Sequence, residues 1–353
     1  MEKEESPNYT FLVGTYPENP SQGICKLYFS PGSNILEVSL LKDSISNPSF
    51  ILANKANNRA FSVEEVASEQ GGNVVMFEMG TSFQTLSSDP TFGDHPCYLA
   101  LSPDEKWLVV GNYSGGNFSL FSISPDSLTH IQTVSHSGES VNKARQESAH
   151  VHSTVFSPDG SYLMVMDLGT DKVYQYQFDP LNDSPLSLTQ EIEMTPGDGP
   201  RHGVFSPSGN EFAILQELSG FVNIYSFDDG KMVLRQRESI VDENFTGEHG
   251  AAEIRYSPDG QNIYTSNRGD DNSIAVFRRD SNGNFKRIQI VESGGIKPRN
   301  FIVTSDGKYL LSAHETSNDI VVFERNPESG ELLQTDLKTE VNSPVYLFEI
   351  SGN

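Results

Sequence analysis

The sequence predicts an all-β protein, a seven-bladed β-propeller with four strands in each blade. The first observation is a tight turn that recurs as Ser102-Pro103-Asp104-Glu105, Ser157-Pro158-Asp159-Gly160, Ser206-Pro207-Ser208-Gly209, Ser257-Pro258-Asp259-Gly260 and Thr304-Ser305-Asp306-Gly307. Each copy separates two short apolar runs, and Pro, Asp and Gly are the residues that make a reversal between antiparallel strands. The second observation is spacing. The strands that open each unit carry their second residue at 48, 96, 151, 200, 251, 298 and 344, intervals close to the 40 to 50 residues of a propeller blade. The third is that the last opening strand has no partners after it, whereas the N-terminus begins with strands that have no opener.

The elements follow in order. Tyr9–Gly14, Gly23–Phe29 and Ile35–Leu40 read as second, third and fourth strands without a first. Openers then begin at Asn47, His95, His150, Gly199, Gly250 and Lys297, each continuing through a corner, a second strand, a polar loop and two outer strands. The seventh, Ser343-Pro344-Val345-Tyr346, supplies the missing inner strand, so N-terminal strands and C-terminal inner strand close one blade and remove an exposed sheet edge. Residues 1–353 read as one domain. The carboxylates of the corners, including Asp104, Asp159 and Asp259, are expected to form turns and not to act chemically.

Composition narrows the function. The chain carries 24 Lys and Arg against 48 Asp and Glu, a formal charge of −24, which repels a phosphate backbone and argues against nucleic acid as a partner. No apolar run approaches the roughly 20 residues needed to span a bilayer, so no membrane partner is expected. The opening Met1–Ser6 is polar and lacks the apolar core of a secretory signal, which leads to a cytoplasmic expectation. Cys25 and Cys97 fall in different units within apolar strand patterns and are expected to be buried free thiols. A closed ring has no compulsory partner surface, so a monomer is the default.

Topology places chemistry on one face. In an antiparallel blade the start of the first strand and the end of the second lie together, opposite the corners. The residue just after the Pro position reads Ser49, Cys97, His152, Arg201, Ala252, Arg299 and Val345 in successive blades. A position needed only for packing is not expected to alternate between alanine and arginine, and His152, Arg201 and Arg299 form a candidate anion-binding wall. The ends of the second strands read Glu64-Glu65, Asn112-Tyr113, Asp167-Leu168, Gln216-Glu217, Asn267-Arg268, His314-Glu315 and Thr15-Tyr16. Glu217 and Arg268 stand out because their blades adjoin the His and Arg positions. His150 and His152, two apart on a strand, share a side; with His202 and Asp167 near, a zinc or calcium site is conceivable, but no contiguous ligand motif exists and no metal is expected. No Gly-x-Ser-x-Gly elbow offers a nucleophile.

Several stretches together resemble the seven-bladed propeller lactonase family, which includes propeller-type 6-phosphogluconolactonases and fungal carboxymuconate cyclases. They are His95–Leu99, Gly111–Gly116, Ala149–Ser153, Asp167–Val173, Gly199–His202, Glu217-Leu218, Ser266–Gly269 and Pro298–Phe301. The likeness covers essentially the whole chain. It implies hydrolysis of 6-phosphoglucono-1,5-lactone to 6-phosphogluconate in the pentose phosphate route, with no cofactor and no required metal. By motif, the groups proposed as active in the cyclase branch fall on His152, Arg201, Glu217 and Arg268. His152 or Glu217 would then serve as general base, and Arg201 and Arg268 would stabilise the oxyanion or hold an anionic end. Arg299 would contact phosphate, and His150, His202, Asp167, Asn267 and His314 would help bind substrate. Two alternatives are a carboxymuconate-type lactonizing enzyme and a non-catalytic propeller that binds an anionic ligand.

Overall fold

The computed structural model describes residues 7–16, 23–80 and 83–350; the Met1–Ser6 lead lies outside these. Twenty-eight strands form seven four-stranded antiparallel sheets. The six continuous blades have inner strands Ile51–Ala53, Pro96–Leu101, Val151–Phe156, Pro200–Phe205, Ala251–Tyr256 and Pro298–Val303, and are called blades 1 to 6 below. Blade 7 is composite, with Pro344–Ile350 innermost, followed by Tyr9–Thr15, Ile24–Ser30 and Ile35–Lys42. Its seam is a regular ladder in which Leu12 faces Phe348 and Val13 faces Leu347. Among the described residues helix is confined to one 3-10 turn, Pro31–Ser33, and no helix is long and apolar enough to cross a membrane.

The strand patterns explain the layering. Second strands are buried on both faces, as in Tyr162–Asp167, while outer strands such as Leu186–Glu193 are mostly exposed and polar. Strands buried on both sides need neighbours on both sides, and a ring of blades supplies them. The apolar core accordingly sits between blades. One cluster, with Val109, Phe118, Val165 and Tyr174, joins blades 2 and 3. Another, with Met164, Phe212 and Ile214, joins blades 3 and 4. A third, with Phe11, Leu27, Leu311 and Val322, joins blades 6 and 7.

The corners are turns of one design. Ser157 Oγ donates to Asp159 Oδ1 at 2.5 Å, the same oxygen accepts the Ser161 N–H at 3.0 Å, and the Tyr162 N–H returns to Ser157 Oγ at 2.9 Å. The Ser102–Asp104, Ser257–Asp259 and Thr304–Asp306 pairs repeat it. Burial opposes ionisation of Asp159, but the bonds from Ser157 and Ser161 outweigh it and hold the carboxyl below its ordinary value. Glycine takes the left-handed position at Gly160, Gly209, Gly260 and Gly307, and Glu105 takes it in blade 2.

Two details differ from the sequence reading. Regular pairing in blade 1 begins only at Ile51, because the Ser49 N–H turns back to the Asn47 carbonyl at 2.7 Å. Both cysteines are free, but only Cys97 is buried; Cys25 is half-buried. Aromatic rings from several blades meet near the ring axis. Phe50 contacts Tyr346 and Tyr98 at centroid distances of 3.9 and 4.4 Å, Tyr98 meets His202 at 5.2 Å, and His202 meets His152 at 5.3 Å.

The seam of blade 7 is expected to govern global stability. Leu347 is fully buried in the blade 6–7 core, so Leu347→Ala should cost about 2–5 kcal/mol, read as a lower urea midpoint. A midpoint unchanged within error would show that the ring does not depend on this closure.

Candidate active site

Strand geometry sets out the site before any side chain is considered. In each blade the residue after the second strand donates its N–H to the carbonyl that precedes the inner strand: Tyr16 to Ser343, Glu65 to Asn47, Tyr113 to His95, Leu168 to His150, Glu217 to Gly199, Arg268 to Gly250 and Glu315 to Lys297, at 2.8–3.1 Å. Inside this bond the inner strand carries an extra residue. Pro200 pairs with Gln216 and His202 with Leu215, which leaves Arg201 unpaired. His152, Cys97, Arg299 and Val345 are extruded in the same way. Such a bulge re-aims one side chain without breaking the sheet. Here it turns each toward the ring's mouth, where Ser49, Cys97, His152, Arg201, Arg299 and Val345 line one narrow cavity of about 10 Å³ with the rings of Phe50, His202 and Tyr346.

Glu217 is the centre of charge. Its Oε1 accepts from Arg145 Nη2 at 2.6 Å, and its Oε2 lies 3.0 Å from Arg201 Nε, 3.1 Å from Arg268 Nη2 and 3.9 Å from His152 Nε2. Arg201 spends Nη1 on the Ala252 carbonyl and Arg268 spends Nε on the Gly250 carbonyl at 3.1 Å. Each guanidinium therefore keeps a terminal nitrogen for a ligand. Arg145, on the loop between blades 2 and 3, keeps Nε and Nη1, and its side chain is 43% exposed at the rim.

Protonation follows from this packing. Burial opposes the charge on Glu217, but Arg268, Arg201 and Arg145 outweigh it and hold the carboxyl at about 2. A carboxylate so held is a poor proton acceptor near neutrality. His152 is pushed well below the ordinary imidazole value by burial, then by Arg201 and His202. It is neutral at pH 7, and its Nδ1 has no hydrogen-bond partner outside its own residue. Burial and the neighbouring Arg268 also push the Arg201 guanidinium down, so an incoming anion would relieve an unfavourable cation.

The remaining sequence-predicted residues separate into two groups. His150 stacks on Tyr113 at 4.5 Å, and His152 meets the edge of the same ring at 5.3 Å. His202 lies beneath His152, with Nδ1 3.3 Å from Glu253 Oε1, and is pushed down to about 4 by burial and Arg201. Arg299 donates to Tyr16 Oη at 2.8 Å and lies 3.7 Å from Glu315. Asp167, Asn267 and His314 do not join the mouth. Asp167 takes the amides of His150, Gly169 and Thr170 and faces His136 at 2.9 Å. Asn267 takes the Gly250 amide at 2.8 Å and bonds Asp271, and His314 pairs with Asp319 at 2.7 Å. All three are the first member of a strand-end pair. Alternation turns that member into the blade and the next one toward the mouth.

The same alternation identifies residues that the sequence reading passed over, namely Tyr16, Glu65 and Tyr113. Arg145 carries no comparable signal, because it arrives on an irregular loop. Among the described residues no three His, Cys, Asp or Glu side chains gather in a metal-binding group.

Comparison with known proteins identifies the family. The sequence profile of the family described as "Lactonase, 7-bladed beta-propeller" matches residues 10–348. A protein of Formosa agariphila named 6-phosphogluconolactonase is 30% identical over 358 residues, covering 96% of this chain and 99% of that one. One of Bacillus subtilis with the same name is 29% identical over 343 residues, covering 96% and 97%. The solved structure of a periplasmic gluconolactonase of Pseudomonas aeruginosa is 33% identical with a TM-score of 0.90, covering 98% of this chain and 99% of that one. The chain belongs to the seven-bladed β-propeller lactonase family.

Proposed function

We propose that this lactonase hydrolyses an anionic sugar lactone, and that 6-phosphoglucono-1,5-lactone is the substrate its site fits best. The observation that carries the reading is the convergence of Arg145, Arg201 and Arg268 on one buried carboxylate beside a neutral imidazole. Guanidiniums with spare nitrogens suit a carbonyl oxygen that gains charge and a phosphate that already has it. The names of the Formosa and Bacillus relatives support the same substrate.

In the mechanism, His152 takes a proton from water as the oxygen attacks the lactone carbonyl. The tetrahedral oxyanion lies against Arg201 and Arg268. Its collapse breaks the bond from the carbonyl carbon to the ring oxygen, which recovers the proton from the His152 imidazolium. The resulting acid loses its proton to solvent. Glu217 does not act as base in this scheme. It fixes three cations in place, and its charge 3.9 Å from His152 stabilises the transient imidazolium. Arg145, the exposed member, meets the phosphate at the outer end of the sugar, while Arg299 is committed to Tyr16 and Glu315.

A second reading is an unphosphorylated aldonolactone as the natural substrate. The Pseudomonas relative's name favours it, and only Arg145 separates the two.

Hydrolysis of freshly made 6-phosphogluconolactone, read through a dehydrogenase specific for the product, tests the reaction. His152→Ala should lower kcat by about 10²–10⁴-fold, and a wild type no faster than spontaneous hydrolysis would end the assignment. Arg145→Ala should lower the ratio of kcat/KM for the phosphorylated lactone to that for glucono-1,5-lactone by about tenfold or more; an unchanged ratio would remove Arg145 from the phosphate. The pH profile supplies a third check. Because His152 stays unprotonated well below pH 6.5 and Glu217 stays ionised above about 2, kcat/KM should remain level from pH 8 to below 6.5 and fall only in more acid solution. An acid limb centred at or above pH 6.5 would show that burial and the arginines do not depress the acting base.

A further inference from the structure

The mouth has a second wall, opposite Glu217, whose chemistry the hydrolysis does not use. Tyr16 from blade 7 donates its hydroxyl to Glu65 Oε2 at 2.6 Å, and Ser49 of blade 1 donates to the same oxygen. Tyr16 Oη also accepts the Arg299 Nη2 bond at 2.8 Å, and the Arg299 guanidinium lies over the Tyr16 ring, 4.9 Å from its centroid. Burial keeps the Tyr16 hydroxyl protonated by raising it far above its ordinary value. Donation thus runs from Arg299 to Tyr16, and from both Tyr16 and Ser49 to Glu65. Through Ser49 and Arg299, which line the cavity together with His152 and Arg201, this network sets a carboxylate behind that lining.

The acceptor inventory shows what this wall could bind. Guanidiniums only donate, so they hold the carbonyl and an anionic end but accept nothing from a hydroxyl proton. A sugar lactone carries several hydroxyls, and each must find an acceptor if it leaves water. Glu217 is already engaged, with Arg145 bonded to its Oε1 and Arg201 and Arg268 within 3.1 Å of its Oε2. Glu315 is engaged by Lys297 at 3.4 Å and Arg299 at 3.7 Å. Glu65 accepts both bonds on Oε2; among the described residues Oε1 makes no hydrogen bond, the side chain is half-buried, and its charge acts on Arg299 without a direct ion pair.

From this juxtaposition we infer that Glu65, oriented by Tyr16 and Ser49, is a polyol subsite that accepts hydrogen bonds from the ring hydroxyls of the substrate and selects hydroxylated lactones over plain ones. The inference rests on the lactone-hydrolase reading for its substrate class, and it adds a specificity determinant on the wall opposite the ester chemistry. The shared Oε2 anchors the carboxylate plane, so Oε1 is held for a ligand at little conformational cost. A wall that merely stitched blades 6, 7 and 1 together would affect stability and leave substrate preference alone.

The test compares glucono-1,5-lactone with δ-valerolactone, the same six-membered ester without ring hydroxyls. Glu65→Gln and Tyr16→Phe, with folding verified by thermal unfolding, should each lower the ratio of kcat/KM for the first to that for the second by about 10- to 100-fold. An unchanged ratio in Glu65→Gln overturns the subsite, even where both activities fall together. Calorimetric titration with gluconate and with 5-hydroxypentanoate reads the subsite without turnover. Gluconate should be preferred by the wild type and lose that preference in Glu65→Gln. If the wild type hydrolyses neither the sugar lactones nor valerolactone, the hydrolase reading falls and the titration alone decides. A gluconate preference that needs Glu65 then upholds the subsite, and gluconate binding that is absent or indifferent to Glu65 overturns it.

Discussion

One backbone hydrogen bond, made seven times, underlies both the ring and its site. It ties the residue after each second strand to the carbonyl before each inner strand and forces an extra residue out of the ladder between them. Five of the seven accepting residues sit in the left-handed region, at φ 44–63° for Ser343, Asn47, His95, Lys297 and Gly199. Only Gly199 is free of the steric penalty there, so the other four hold a conformation of about 1 kcal/mol or more in cost. The fold retains it because the turn also aims a side chain into the mouth. Since the bond involves no side chain, the extruded position can be Ser, Cys, His, Arg, Ala, Arg and Val in turn without altering the blade. A nearly symmetric scaffold therefore carries an asymmetric site, with cations and His152 in blades 2 to 6 and the Glu65 carboxylate near the seam.

Charge is organised against the chain's overall sign. The molecule is strongly acidic, yet four arginines gather at the mouth. At physiological salt, charges beyond about 8–10 Å are largely screened, so an approaching anion meets Arg145, Arg201 and Arg268 and not the distant surface carboxylates. Glu217 makes this possible. Three guanidiniums packed without an anion would repel one another in a medium where Coulomb energies are large, and removing one partner of a buried ionic cluster is costly. With the anion fixed among them the cations are held in place before substrate arrives, and stabilisation of an oxyanion by such fixed charges needs little rearrangement. In the proposed mechanism this distinguishes the two residues that sequence alone left as rival bases. Glu217 is engaged by three cations, whereas His152 keeps a ring nitrogen without a partner.

What the sequence made legible was local or periodic. The corners were readable because Ser, Pro, Asp and Gly act within four residues, and the closure of blade 7 followed from counting strands. The arginines and His152 were readable because registering the blades compares equivalent positions. Asp167, Asn267 and His314 were expected at the mouth because they are polar and stand at strand ends. Applying the two-residue alternation strictly would have turned them inward and selected Tyr16, Glu65 and Tyr113. Arg145 lay beyond any such rule, since an irregular loop of blade 2 carries it to Glu217, 72 residues further along the chain. Pairings of that kind depend on the closed ring and leave no periodic trace.

Burial gives the site a direction. Phe50, Tyr98, Tyr346 and His202 form a run of ring contacts that ends at His152, on the buried side of the site. The most buried polar groups are then the ones a substrate reaches last. Arg201 is fully buried, with Arg268 16% and Arg145 43% exposed in their side chains, a gradient of guanidiniums from floor to rim. An ester carbonyl belongs at the floor, where water is scarce and each charge counts for more. A phosphate, costly to strip of water, belongs at the rim, where Arg145 can meet it while it stays partly hydrated. In the proposed reading the hydroxyls would meet Glu65 on the facing wall, and a phosphorylated sugar lactone would use the gradient of guanidiniums from its ester to its phosphate.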